Sequence, residues 1–127
     1  MTQTCNADMT APSLRLRIVF GDLVMLGPGK ADLLEHIRDT GSIAAAGRSM
    51  SMSYKRAWML VETMNTAFQE PLVASSRGGA KGGGAYLTET GVEVLAQYRA
   101  LEALVAEAGA AQVSALQALL RDTSDGK

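Results

Sequence analysis

A chain of 127 residues and 13.4 kDa is expected to form one ordinary domain with a terminal arm or an exposed helix, not a two-domain enzyme. Its 47% apolar and 20% charged residues belong to a folding globular chain, and no apolar run approaches the roughly 18 to 20 residues that span a bilayer. The net charge of −1 conceals an asymmetry: nine Lys/Arg face six Asp/Glu between Arg15 and Tyr86, but only three face six from Leu87 to Lys127.

Residues 1–13 lack the basic start and apolar stretch of a secretion signal, so they are expected to form a flexible arm on a cytoplasmic protein. Leu14, Leu16, Ile18 and Phe20 alternate with Arg15, Arg17 and Val19, which predicts a half-buried strand over 14–20. Gly27-Pro28-Gly29 then opens a helix whose Leu33, Leu34 and Ile37 share one face and whose stop is Gly41. Ser42 caps a second helix with Ile43, Ala46, Gly47 and Met50 at helical spacing; Ser51 breaks it, and Ser53 caps a third. The periodicity of the third places Tyr54, Ala57, Trp58, Val61, Met64, Asn65 and Phe68 on a core face. Lys55, Arg56, Met59, Glu62 and Thr63 are left more exposed.

Beyond Pro71, residues 72–76 and 85–88 read as two short strands flanking a basic, glycine-rich tip, Arg77 to Gly84. Thr88 caps a last long helix with Glu89 in its first turn, and Val94, Tyr98, Leu101, Val105 and Ala108 recur at spacings of 4 and 3, a stripe suited to a dimer seam. The same periodicity would also serve packing against the chain's own first strand and helix. Gly109 interrupts the helix, and Val113, Leu116, Leu119 and Leu120 predict another before a frayed polar tail at 122–127.

This order is α+β, mainly α: a winged helix-turn-helix over 14–88 followed by a long C-terminal dimerisation helix within 89–121. Its physics suits double-stranded DNA. A helix starting at Ser53 can enter the major groove with its free backbone amides, Lys55, Arg56 and Met59 facing the duplex. The guanidinium of Arg56 can bind guanine bidentately, worth roughly 1 to 3 kcal/mol in discrimination, whereas Lys55 serves better as a point charge to phosphate. Arg77, Lys81, Gly82 and Gly83 lie in the tip, where glycine lets backbone approach the sugar-phosphate chain.

Gly41-Ser42-Ile43, Ser53-Tyr54-Lys55, Ala57-Trp58, Met64-Asn65 and the glycine-rich tip before Leu87-Thr88 together resemble the DNA-binding half of ModE-type molybdate-responsive transcriptional regulators. The resemblance runs from about Leu16 to about Val105, with Ser51 standing where that family usually has glycine. It implies a homodimer on a palindromic operator, two recognition helices reading half-sites about 34 Å apart. The family's second half, small β-barrel modules that bind molybdate, is expected to be lacking, because 127 residues leave no room for it. Sensing would then fall to a separate effector-sensing protein or to a ligand at the dimer interface.

Competing readings of the same residues are weaker. Trp58 and Tyr54 are assigned to packing before base stacking. Lys81 precedes Gly82 where a phosphate-binding loop needs Ser or Thr. Met50, Met52, Met59 and Met64 fill a core better than they bind copper, because no cysteine or histidine accompanies them, and the single Cys5 and single His36 make no zinc cluster. His36 has no nucleophile or acid-base partner nearby in sequence, so no catalytic residue, metal or cofactor is expected. A different class of function stays open: a winged-helix interaction module that docks a protein partner through its acidic, leucine-bearing C-terminal helices.

Overall fold

The computed structural model describes residues 12–22, 24–76 and 84–121. An irregular stretch, 12–17, leads into β1 (Ile18–Phe20), and after a turn in which Gly21 has φ +61° the chain returns as β2 (Val24–Leu26). The two pair antiparallel, Ile18 opposite Leu26 and Phe20 opposite Val24. The expected strand over 14–20 is therefore shortened to 18–20. The position that would pair with Leu16 is Pro28, which has no N–H to give and already begins a helix.

That helix, α1 (Pro28–Thr40), buries Ala31, Leu33, Leu34 and Ile37. It ends at Gly41, whose φ of +74° lets its N–H return to the Ile37 carbonyl at 2.8 Å. Next comes α2 (Ile43–Ser49), where the Ser42 hydroxyl accepts the Ala45 N–H at 3.0 Å; then α3 (Tyr54–Ala67), where the Ser53 hydroxyl accepts the Arg56 N–H at 3.1 Å. The two helices cross closely because position 47 carries no side chain: a β-carbon there would stand 3.0 Å from that of Ala57.

Strands β3 (Val73–Ser76) and β4 (Gly84–Leu87) form an antiparallel hairpin, Val73 opposite Leu87 and Ser76 opposite Gly84. Two polar clamps hold it on the helices. The Asn65 carboxamide accepts the Leu72 and Val73 N–H groups at 2.8 and 3.0 Å and donates to the Val73 carbonyl at 3.0 Å, while the Ala85 N–H reaches the Gly41 carbonyl at 2.9 Å. The 20-residue α4 (Glu89–Ala108), capped by Thr88, packs across α1, and α5 (Ala110–Ala118) follows with no buried residue.

Leu33, Leu34, Ile37, Met64 and Leu72 are fully buried at the centre, joined by Ala46, Ala57, Val61, Leu95 and Tyr98. The chain is α+β and mostly helical, with two small antiparallel sheets, an arrangement compatible with a winged helix. One expectation for α3 is corrected: Tyr54 and Trp58 are 57% and 44% exposed, not core. At about 100° per residue, Trp58 lies a quarter-turn from Ala57 and off the buried stripe of Ala57, Val61 and Met64.

Candidate nucleic-acid interface

The turn joining α2 to α3 is held by the Met52 N–H on the Gly47 carbonyl at 2.9 Å and places Ser51 at φ +59°. It delivers the first turn of α3 to the surface. Lys55, Arg56 and Met59 are all exposed there, as is Ser53, and Lys55 and Arg56 form no ion pair with any described carboxylate. The first turn of α3 contains no acidic residue to offset them. An exposed cationic helix start behind a tight turn presents both amides and side-chain charge to an anionic partner.

Beside this turn, Tyr54 and Trp58 face the base of the hairpin. With Ser42, Ile43, Ser75 and Ala85 they line an open cleft of about 330 Å³ between α2, α3 and the two strands. The cleft joins the start of α3 to the base of the hairpin, so these two described parts share one side of the molecule. Arg77, Lys81, Gly82 and Gly83 lie outside the described residues; the strands that carry them are described up to Ser76 and from Gly84.

On the other side of the first turn of α3, Arg56 lines a second hollow with Arg17 and Lys30. The Lys30 ammonium donates to the Met25 carbonyl at 2.9 Å. Burial, then the nearby Arg17 and Arg56 charges, hold it below the usual lysine range. Sequence reasoning placed Arg56 at the interface but missed both companions, which come from different elements.

No protein-family model matches the chain. Individual proteins do. It is 45% identical over 82 residues, 65% of its length, to the molybdenum-pterin-binding protein MopB of Rhodobacter capsulatus. Over 70 residues it is 49% identical to the molybdenum transport protein ModE of Azotobacter vinelandii, and over 71 residues 38% identical to the DNA-binding transcriptional dual regulator ModE of Escherichia coli K12. The stretches cover 55% and 56% of this chain. The chain resembles ModE and Mop proteins. It matches only 30%, 26% and 27% of the length of these three relatives, so the likeness concerns a part of each.

The stripe on α4 divides when placed in three dimensions. Tyr98 turns into the chain's own core, 2% exposed, with its hydroxyl donating to the Leu16 carbonyl. Val94 and Leu101 are half-buried and border an open apolar hollow with Ile18, Phe20 and Phe68; Phe20 and Phe68 meet edge to face at 6.5 Å. Val105 is half-buried and Ala108 exposed. Arg99 fastens the opposite side of α4 to α1 through Asp32 at 2.7 Å and Glu35 at 3.0 Å, and also pairs with Glu102 at 2.9 Å. Burial alone would lower the pKa of this guanidinium; its bonds to the three carboxylates outweigh that and raise it. Among the described residues no group of three His, Cys, Asp or Glu side chains gathers as a metal site, and no helix is long and apolar enough to cross a membrane.

Proposed function

We propose that this chain is a cytoplasmic DNA-binding transcriptional regulator of the ModE type, concerned with molybdate-related regulation, that binds a palindromic operator as a homodimer. The observation that carries the reading is the exposed, carboxylate-free start of α3, with Lys55 and Arg56 behind the tight turn and the hairpin base on the same side of the molecule. The relatives named as ModE regulators support it. In this reading Ser53, Lys55, Arg56 and Met59 meet the major groove, and Arg77, Lys81, Gly82 and Gly83 approach the backbone. The half-buried Val94, Leu101 and Val105, with Ala108, form the seam to a second copy, and Tyr98 supports that seam from within. No reaction is catalysed.

The test is fluorescence anisotropy with duplexes recovered by genomic footprinting. Replacing Lys55 and Arg56 together with alanine abolishes specific binding while the melting temperature holds. Unchanged affinity refutes the placement.

A second reading rests on a different observation. Leu116, Leu119 and Leu120 on and beyond α5 are 65%, 81% and 72% exposed, a surface that could dock a protein partner in place of DNA. A salt titration separates the two, since DNA affinity falls steeply with salt whereas apolar docking is far less sensitive.

A further inference from the structure

The hollow beside the first turn of α3 does not follow from the helix-turn-helix alone. It measures about 470 Å³, and its walls bring together Arg17 before β1, Lys30 in the first turn of α1 and Arg56 of α3, over a floor that includes Met52 and Leu60. Three cations from three separate parts of the chain meet here, and among the described residues no carboxylate pairs with any of them; the ion pairs present use Arg38 and Arg99. Gathering like charges without a counter-charge costs free energy unless a multivalent anion completes the set.

The side chains are also placed. Arg17 lies over Gly27, its Cγ 3.2 Å from where a β-carbon at position 27 would stand, so its stem is laid along the start of α1. The ammonium of Lys30 has three N–H donors; one is spent on the Met25 carbonyl, and that bond fixes the group while leaving two donors for a ligand. Its proton affinity is lowered first by burial and then by the charges of Arg17 and Arg56.

We propose that Arg17, Lys30 and Arg56 form a pocket for one phosphate group, carried by a DNA backbone beside the groove that α3 enters or present as free inorganic phosphate. The backbone version rests on the DNA-binding reading above. It assigns Arg56 to a phosphate instead of a guanine edge and extends the footprint to the stretch before β1 and the first turn of α1, where Arg17 and Lys30 are not singled out by the helix-turn-helix pattern.

The experiment compares the full chain with Arg17→Gln, Lys30→Gln, the double variant and the charge-keeping Lys30→Arg. One arm measures anisotropy with a labelled mixed-sequence duplex across a salt series. The other measures the melting temperature in inorganic phosphate against chloride at equal ionic strength. For a DNA phosphate, the double variant loses about one unit from the slope of log K against log salt, equally for unrelated sequences, and Lys30→Arg keeps the slope. For free phosphate, the slope is unchanged but the phosphate-dependent rise in melting temperature disappears in the double variant. If neither the slope nor that rise differs from the unmodified chain, the pocket is overturned. Failure of the unmodified chain to bind duplex at low salt overturns the DNA reading alone, and the melting arm still decides the pocket. Should Lys30→Gln melt before assay, the surface variant Arg17→Gln carries both arms.

Discussion

Gly91 meets the backbone of Leu72 so closely that a β-carbon at position 91 would stand 2.1 Å from the Leu72 carbonyl oxygen. That oxygen also accepts the Thr88 N–H at 2.9 Å, and the Thr88 hydroxyl donates to the Pro71 carbonyl at 2.7 Å while accepting the Gly91 N–H at 3.0 Å. The start of α4 is thereby tied to the strand that opens the hairpin. Gly91→Ala would gain about 1 kcal/mol on an open helix. Here it forces one backbone off another, and the overpacking cost of about 1 to 3 kcal/mol is added to loss of the Thr88 bond. We expect a net destabilisation of about 2 kcal/mol, read by thermal melting; an equal or higher melting temperature would show that α4 slides freely.

Ser51 carries the opposite sign. It sits at φ +59° in the turn before α3, a conformation that costs an L-residue about 1 to 2 kcal/mol and glycine almost nothing. Part of that gain is returned because glycine is freer in the unfolded chain, by about 0.4 to 1 kcal/mol. Ser51→Gly is therefore expected to stabilise by roughly 0.5 to 1 kcal/mol, and Ser51→Val, which is β-branched, to destabilise. Denaturant melts of the two variants should move in opposite directions from the parent; movement in the same direction contradicts the strained turn.

Much of this frame was readable in advance because its signals are local. The caps at Ser42, Ser53 and Thr88 and the stop at Gly41 each depend on neighbours within four residues, and all four act as the sequence predicts. The strand β2 was missed because Val24-Met25-Leu26 is only three residues long; the Gly21-Asp22 turn between two apolar runs was its available signal. Tyr54 and Trp58 were misplaced because a helical face drawn from hydrophobicity is wider than the face its neighbours cover. The grouping of Arg17 with Lys30 and Arg56, and the reach of Arg99 to Asp32 and Glu35, depend on tertiary packing, which no periodicity encodes.

Tyr98 gives the fold a pH dependence at the alkaline end. Burial, then the Glu102 carboxylate, raise its phenol above the usual value of 10.0, against smaller opposing effects of Arg99 and Arg15. The folded chain thus favours the neutral phenol, and the associated stability is fully present below pH 10.0 and lost as pH rises through the higher folded-state value. Tyr98→Phe should cost about 1 kcal/mol at neutral pH, because the Leu16 carbonyl loses its donor. It should also flatten the alkaline part of the stability curve. Urea melts from pH 8 to 11 of parent and variant check this; parallel curves would show that another group carries the alkaline loss.

Trp58 supplies a direct test of which face meets DNA. It is the only tryptophan, 44% exposed, and lines the cleft between α3 and the hairpin base beside Tyr54. A duplex engaging both the start of α3 and the hairpin must cover that cleft, displacing water from the indole and changing its emission. Trp58→Ala removes contact area at the interface but little from the core, so it should weaken DNA binding by about 1 kcal/mol or more while lowering stability by less. Titration of the unmodified chain with duplex, followed by its tryptophan emission, should give the same midpoint as anisotropy. If anisotropy reports binding while the emission stays constant, DNA approaches from another side and the assignment of α3 fails. A change in emission that persists at high salt with a protein partner, without duplex, would favour the docking reading instead.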